Sequence, residues 1–341
     1  MKNPVPILRT GFFNLCRFFN TATMKNIVII LLCVIPLGFV FGQTTKKWVV
    51  SKDGKGNYSN VQAALNAVPA DNKEPILIYI KKGVYNERLV LDTRKDFVTI
   101  EGEDKASTIL TYNNHAGVKF PNGDTVNTWS SASFFVYADN FTAKNISFQN
   151  NAGFTAGQAV AVFANGNRLH FSNCNFLGFQ DVLFCSGIGT KQFYEDCYIE
   201  GTTDFIFGPA TAVFQNCHIH SKKNSHVTAA STPREILFGF VFLNCKLTAD
   251  TSVHKVSLGR PWQPNASVTY INCELGEHII PEGWNNWKNP ANELTARYAE
   301  YNSTGHGANN GARVKWAKIL TLEEMQKINL KTIFGDWDPK K

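Results

Sequence analysis

Charged residues are scarce in this chain: Asp, Glu, Lys and Arg together make up 18% of its 341 residues. Soluble helical bundles carry long charged faces, so this composition does not favour an all-α protein. Hydrophobic residues make up 44%, and the chain contains 25 glycines and 26 phenylalanines. We therefore expect a globular protein rich in strands and turns.

Acidic residues are absent from the first 42 positions, and residues 27–40 are almost wholly apolar. A basic start, a short apolar run and a small residue follow each other in the order of a secretory signal. We predict a targeting segment over residues 1–42, with Met24 as a possible true start and cleavage near Gly42 and Gln43. The alternative is a retained anchor, although the run is short for a membrane span. The mature protein is then secreted or periplasmic, without stable membrane association.

The net charge excludes some partners. Removing Lys2, Arg9, Arg17 and Lys25 with the targeting segment lowers the formal charge from +7 to +3. No concentrated basic stripe remains, so nucleic-acid binding is not expected.

The sequence also lacks residue patterns that bind metals or nucleotides. His218 and His220 alternate along one strand, but no third ligand follows at a compatible spacing. Phosphate-binding and dinucleotide-binding glycine motifs are absent from the sequence. We expect no metal, no cofactor and a monomer.

Five of the six cysteines after position 42 mark an internal repeat. Each follows a strand-like run and an Asn or Asp, and Ile146 occupies the same place one unit earlier. The spacings from Ile146 are 28, 23, 20, 28 and 28 residues. Uneven repeats of this length favour a parallel β-helix over a propeller. The repeat cysteines are Cys174, Cys197, Cys217, Cys245 and Cys273.

In a β-helix, these cysteines form an inward ladder of apolar thiols, and the preceding residues form a ladder at a turn. Disulfides are the alternative, but stacked side chains point the same way rather than toward each other. Residues 60–68 predict a short helix that caps one end, and residues 319–328 predict another with Thr321 as its N-cap. We predict one all-β domain over residues 43–341, a right-handed parallel β-helix with short capping helices.

Five polar residues stand in otherwise apolar or glycine-rich surroundings, and a solenoid would bring them to one face. Burying an ionised Asp181 or Asp204 in such a run costs free energy, so we expect each to pair with an opposite charge or to take part in chemistry. Arg260 would keep one aspartate ionised, whose charge keeps the other protonated. Glutamine amides suit an oxyanion that develops on a carbonyl. The set, which favours ester hydrolysis over glycoside hydrolysis, is Gln158, Gln180, Asp181, Asp204 and Arg260.

These blocks resemble the signature sequences of the pectin methylesterases, in the same order. The resemblance runs from Trp48 to Trp337 and covers essentially the whole mature chain. Its blocks are Gly83-Val-Tyr-Asn-Glu87, Gln158-Ala-Val, Gln180-Asp-Val-Leu, Gly201-Thr-Thr-Asp-Phe-Ile-Phe-Gly208 and Leu258-Gly-Arg-Pro-Trp262.

The resemblance implies a substrate, methyl-esterified homogalacturonan, and a role for each residue. Asp204 matches the nucleophile and Asp181 the acid that protonates methanol and later activates water. Gln158 and Gln180 match the oxyanion donors, and Arg260 the residue that orients Asp204. An aromatic wall for the sugar is expected from Trp262, extended by Phe184, Phe205 and Trp284.

The sequence departs from the family pattern at several positions. Val182 and Thr203 replace the usual Thr and Val, Phe184 replaces a common Tyr, and the aspartates are 23 residues apart, about two more than usual. These differences affect details of sugar binding, and we interpret the longer spacing as a lengthened turn over residues 186–190.

Three other functions remain open from the residues alone. They are a β-helical lyase or glycosidase, a non-catalytic polymer-binding β-helix, and an esterase for another ester or thioester. A calcium-dependent lyase would show clustered acidic ligands rather than a glutamine pair.

Overall fold

The structure is a computed structural model that describes residues 45–341, apart from the side chain of Asn310. The predicted targeting segment lies outside these residues. These residues form one compact unit. Strands and helices are numbered in chain order.

Three parallel sheets wind around one core and form a right-handed parallel β-helix, the hand that parallel crossover connections nearly always take. The predicted fold class is therefore confirmed. The first sheet has 11 strands: β1 (Lys46–Val50), β2 (Ile76–Ile80), β5 (Val98–Gly102), β8 (Thr142–Lys144), β11 (Leu169–Ser172), β14 (Lys191–Glu195), β17 (Thr211–Gln215), β20 (Phe240–Leu243), β23 (Ser267–Ile271), β25 (Arg297–Tyr301) and β26 (Lys318–Ile319).

The other two sheets complete each coil. The second sheet has eight strands: β3 (Gly83–Asn86), β6 (Thr108–Tyr112), β9 (Ser147–Asn150), β12 (Asn175–Leu177), β15 (Tyr198–Gly201), β18 (His218–Ser221), β21 (Lys246–Ala249) and β24 (Glu274–Leu275). The third sheet has seven: β4 (Leu89–Leu91), β7 (Phe134–Val136), β10 (Val162–Ala164), β13 (Leu183–Cys185), β16 (Ile206–Gly208), β19 (His226–Ala230) and β22 (Ser257–Gly259).

The cysteine ladder is confirmed. All five repeat cysteines are buried and free, as is Cys185 outside the ladder. Each ladder thiol donates to the carbonyl oxygen two residues earlier, at 3.3–3.5 Å, as in Cys197 to Glu195. The thiols therefore act as small buried fillers with a weak hydrogen bond.

The residue before each ladder cysteine turns the chain from the first sheet to the second. Asn173 and Asn244, for example, have φ of 51° and 53°, and the other three members of this ladder share that left-handed conformation. Asn and Asp enter this region more readily than other non-glycine residues because their short polar side chains bond locally. The Asn-Cys repeat therefore encodes one turn per coil.

Helix α1 (Val61–Ala67) covers one end of the coil, whereas α2 (Leu322–Gln326) follows β26, the last strand of the first sheet, without burying a residue. Helix α1 has Asn60 as its N-cap and contacts β1 and β4. Helix α2 begins after Thr321, whose hydroxyl and the Glu324 side chain form a reciprocal capping box. Both predicted helices are present, but the second is shorter than expected and, because it buries no residue, does not form the expected cap.

A third helix, α3 (Leu330–Phe334), was not predicted. It places Ile333 and Phe334 on Phe193, Val213 and Val241, which form an apolar stripe on the outer face of the first sheet. The C-terminal segment therefore covers part of that sheet.

Candidate active site

Asp181 and Asp204 lie on adjacent coils. Asp181 stands two residues before Leu183 and Asp204 two residues before Ile206, and Leu183 and Ile206 are paired in neighbouring strands of the third sheet. The amide of Asp181 donates to the Thr203 carbonyl oxygen at 3.1 Å. The two aspartates therefore occupy equivalent places one coil apart, a step of about 4.8 Å between parallel strands. Both have left-handed backbones, with φ of 62° and 50°. Their predicted adjacency is confirmed.

Arg260 follows β22, two coils beyond Asp204, and binds it through both carboxylate oxygens. Its Nε lies 3.0 Å from Oδ1 and its Nη2 lies 2.6 Å from Oδ2. The indole of Trp287 stacks on the guanidinium, with 3.6 Å between the ring centroid and Cζ. This stack fixes the plane of the guanidinium and hence the orientation of the Asp204 carboxylate.

The two carboxyl groups are in different electrostatic environments. Burial raises the pKa of Asp181 well above its usual range, and the negative charge of Asp204 raises it further. Burial also raises the pKa of Asp204, but the hydrogen bonds and charge of Arg260 oppose that rise. Asp181 is therefore the carboxyl that keeps its proton to higher pH. Burial, which the sequence could not show, is the largest cause of the rise in both pKa values, and the charges of Asp204 and Arg260 set the two groups apart, as predicted.

Gln158 and Gln180 are brought side by side by a local irregularity in the third sheet. They form a parallel bridge with each other, whereas Val162 pairs with Leu183, one residue out of step. The extra residue is accommodated where two successive amides, those of Ala161 and Val162, donate to the same Val182 carbonyl oxygen. Such a bulge re-aims a side chain, and here it aligns both amides with the aspartates.

The two amides are available to a ligand. The Gln180 side chain lies beside the Asp181 carboxyl and favours its ionised form. The Gln158 amide has no hydrogen-bond partner within residues 45–341, and both side chains line the cleft. All five polar residues predicted from the sequence therefore meet in one place.

The cleft has a volume of about 360 Å³ and aromatic walls. Trp262 is among these walls, as predicted, and Trp129 is 54% exposed at the rim. The lining residues are Thr128, Trp129, Gln158, Gln180, Asp181, Asp204, Phe207, Ala229, Arg260, Trp262 and Trp287.

Two predicted wall residues are in the core instead. Phe205 is fully buried, and Trp284 is 2% exposed with its ring centroid 4.4 Å from that of Tyr298. Both belong to the core cluster inside the coil, so they offer no surface to a sugar. The interpretation of Phe205 and Trp284 as substrate-binding residues was wrong.

Phe184 has an intermediate position. It is 2% exposed and lies beneath Trp129 and Trp262, with ring centroids 6.3 Å from each. It also touches a neighbouring recess that these tryptophans share with Ile188 of the lengthened turn. Phe184 therefore supports the indole walls from below.

Sequence reasoning missed Trp129, Trp287 and Phe207. Trp287 stands three residues after Trp284, in the same Gly-Trp-Asn-Asn-Trp block, and no periodic pattern separates the two. Trp129 lies in a short 3-10 turn, Thr128–Ser130, capped by Asn127. Phe207 was detectable, because it follows the inward-facing Ile206 in β16 and therefore points to the opposite face of the strand.

Comparisons with known proteins show which family the chain resembles. The family model described as Pectinesterase matches residues 47–334. Pectinesterase 31 of Arabidopsis thaliana is 38% identical over 286 residues, which are 82% of this chain and 90% of that protein. A probable pectinesterase/pectinesterase inhibitor of Brassica napus is also 38% identical, and the match spans 49% of its length.

Solved structures of similar proteins share the fold. Pectin methylesterase from carrot is 33% identical with a TM-score of 0.77, and the match covers 84% of this chain and 92% of that one. A crystal structure of pectin methylesterase in complex with hexasaccharide VII is 29% identical with a TM-score of 0.77, covering 87% and 99%. The chain belongs to the pectinesterase family.

Proposed function

We propose that this chain hydrolyses the C6 methyl esters of polygalacturonate through an acyl-enzyme on Asp204, releasing methanol and leaving pectate. The observation that supports this most is the convergence of an Arg260-bound carboxylate, a second buried carboxyl and two glutamine amides in one aromatic cleft. Esterified homogalacturonan is the proposed partner, and no metal or cofactor takes part.

The first step is attack by ionised Asp204 on the ester carbonyl carbon. The carbonyl oxygen becomes an oxyanion, to which the Gln158 and Gln180 amides donate hydrogen bonds. Collapse of this intermediate breaks the bond to the methoxy group, and Asp181 gives its proton to the leaving methanol. An anhydride between Asp204 and the galacturonate carboxyl remains.

The second step reverses the role of Asp181. Now ionised, it takes a proton from water, and the resulting hydroxide attacks the galacturonyl carbonyl carbon. Asp204 leaves as a carboxylate, stabilised by the two bonds from Arg260. Asp181 is protonated again, so the enzyme returns to its starting state.

Aromatic rings shape the cleft for a sugar chain. Trp262 and Trp129 have centroids 6.2 Å apart and line the same cleft, which Trp287 also lines while it stacks on Arg260. We propose that Trp262 contacts the sugar bearing the reacting ester, with Trp129 and Trp287 beside it.

We further propose that the protein acts outside the cytoplasmic membrane, as a secreted or periplasmic monomer. The sequence pattern of residues 1–42 supports export, and the proposed substrate is a cell-wall polymer. Among residues 45–341, no helix is long and apolar enough to cross a membrane.

The direct test is methanol release from highly esterified pectin by residues 43–341. The wild type is expected to release methanol, and Asp181→Asn and Asp204→Asn are expected to lose the activity by several orders of magnitude. Formation of an unsaturated sugar would indicate a lyase instead. Polymer binding without methanol release would indicate a non-catalytic β-helix, and faster turnover of a competing ester would indicate another substrate.

A further inference from the structure

A second, larger groove lies on the outer face of the first sheet. Its volume is about 760 Å³, against about 360 Å³ for the cleft. Strands β5, β8 and β11 form its floor, and the C-terminal segment 337–341 forms one wall. The catalytic aspartates precede strands of the third sheet, so the groove and the cleft are on different faces of the coil.

The groove exists because the C-terminal segment covers only part of the first sheet. Farther along that sheet, Phe193 and Val213 present apolar side chains that α3 buries. At the corresponding outward positions of β5 and β8, the residues are Thr99 and Thr142, which pair with each other across the strands. Polar side chains do not need an apolar cover, so this part of the face stays open.

Several polar groups on the floor have no protein partner. The hydroxyls of Thr99, Thr142 and Ser172 make no hydrogen bond with any residue in the described range 45–341. Lys144 is exposed and, within the same range, has no carboxylate at ion-pair distance. Hydroxyls can donate and accept hydrogen bonds, and an ammonium group binds anions, so these groups suit a ligand with hydroxyl and carboxylate groups.

The remaining charges in the groove are already paired. Arg168 binds Asp336 at 2.6 Å, and Lys340 binds Glu195 at 2.9 Å. These ion pairs fix the C-terminal wall to the floor rather than serve a ligand. Trp337 lies in the wall and Phe97, which is 37% exposed, lies in the floor. Aromatic surface is therefore present beside the free polar groups.

We propose that this groove binds a de-esterified run of galacturonate, the product of the proposed reaction. The inference rests on that proposed function for the identity of the acidic sugar. Lys144 pairs with a galacturonate carboxylate, the three hydroxyls bind sugar hydroxyls, and Phe97 and Trp337 contact the apolar sugar faces. A methyl-esterified unit carries no charge for Lys144 and binds less well.

Two sites on one chain change how the enzyme meets a polymer. Once the groove holds a de-esterified stretch, the cleft meets neighbouring esters at a raised effective concentration. The protein is then retained where de-esterified and esterified stretches adjoin.

Thr142→Glu and Thr142→Gln form a matched pair for testing the groove. Both enlarge the side chain at the centre of the floor, but only glutamate repels a carboxylate. In titration calorimetry with a short de-esterified oligogalacturonate, Thr142→Glu is expected to bind one oligomer fewer per chain than Thr142→Gln. Equal numbers for the two variants would overturn the proposal.

Lys144 provides a second measurement. Lys144→Gln is expected to weaken binding in the groove by about threefold, the modest effect of one exposed ion pair, and Lys144→Arg to restore it. Lys315→Gln, which removes an exposed lysine elsewhere, is the charge control. No difference between Lys144→Gln and Lys315→Gln would count against the assignment.

Methanol release separates this proposal from the catalytic one. On a short esterified substrate, all these variants are expected to keep the wild-type rate within about twofold, because none touches the cleft. If the wild type releases no methanol but the Thr142 variants still differ in stoichiometry, the catalytic proposal fails and the groove stands. Thermal melts show whether each variant is folded.

Discussion

The guanidinium of Arg260 binds both carboxylate oxygens of Asp204, at 3.0 and 2.6 Å, across two coils of the β-helix. Asp181, one coil away in the other direction, has no ion pair within residues 45–341. In the proposed mechanism, this difference favours Asp204 as the nucleophile and Asp181 as the acid. The two carboxyl groups differ because Arg260 binds Asp204 and not Asp181.

Replacing Arg260 by Lys tests this relationship. Lysine keeps the charge but loses the bidentate geometry and the stacking on Trp287, so Asp204 is less well oriented and its pKa rises. We expect kcat to fall by about 10²-fold or more, by analogy with the loss of one preorganised catalytic contact. The acidic limb of the pH–rate profile should move to higher pH, because Asp204 must be ionised to attack.

The same profile provides the control for Arg260→Lys. The alkaline limb reports loss of the Asp181 proton, and it should move much less than the acidic limb. An unchanged acidic limb together with lower kcat would show that Arg260 acts in some way other than through the ionisation of Asp204.

Asp181→Asn should abolish activity and at the same time stabilise the fold. Burial raises the pKa of Asp181 above its unfolded value, so ionisation opposes folding, and stability is lost as pH rises from the unfolded value through the folded one. Asparagine removes that penalty. We expect the variant to be inactive yet to melt at a higher temperature than the wild type at neutral pH.

The pH dependence of melting checks this explanation. The difference in melting temperature between wild type and Asp181→Asn should shrink as pH falls, because the Asp181 carboxyl then becomes protonated in the unfolded chain as well as in the folded one. A difference that stays constant with pH would point to packing rather than to charge.

Trp262 and Trp284 should respond in opposite ways to replacement by Ala. Trp262 lines the cleft, so its loss should raise KM for pectin with a small change in melting temperature. Trp284 is 2% exposed and packs on Tyr298, so its loss should lower the free energy of unfolding by about 3–5 kcal/mol. Denaturant titration and steady-state kinetics on both variants measure the contrast. Similar KM values in the two variants would contradict the assignment of the cleft wall.

The coil and the polar centre could be predicted because their signals are local and repeated. Each Asn-Cys step places a left-handed residue before a buried thiol, as at Asn244 with φ of 53°. Asp181 and Asp204 occur at the same place in successive repeats, so the coil geometry alone makes them neighbours. The resemblance to a family then supplied their roles.

Other features depend on contacts that no local pattern records. Trp284 and Trp287 share one sequence block, yet one is in the core and the other stacks on Arg260. The bulge that aligns Gln158 with Gln180 is visible only in the pairing of the strands. The groove beside Lys144 forms only because the C-terminal segment packs against strands more than a hundred residues earlier in the chain, through ion pairs such as Arg168 with Asp336.

The glutamine pair provides the last prediction, because its two members differ in their surroundings. Gln180 lies beside the Asp181 carboxyl and influences its pKa, whereas the Gln158 amide has no partner in the described part of the chain. Each amide is expected to contribute about 10²- to 10³-fold in kcat as an oxyanion donor. Gln158→Ala should therefore lower kcat by that factor with an unchanged pH profile. Gln180→Ala should lower kcat similarly and also move the alkaline limb to higher pH, because the amide favours ionised Asp181 and its loss raises that pKa. If both variants kept wild-type kcat, the amides would be turn-stabilising groups, and the oxyanion would need another donor.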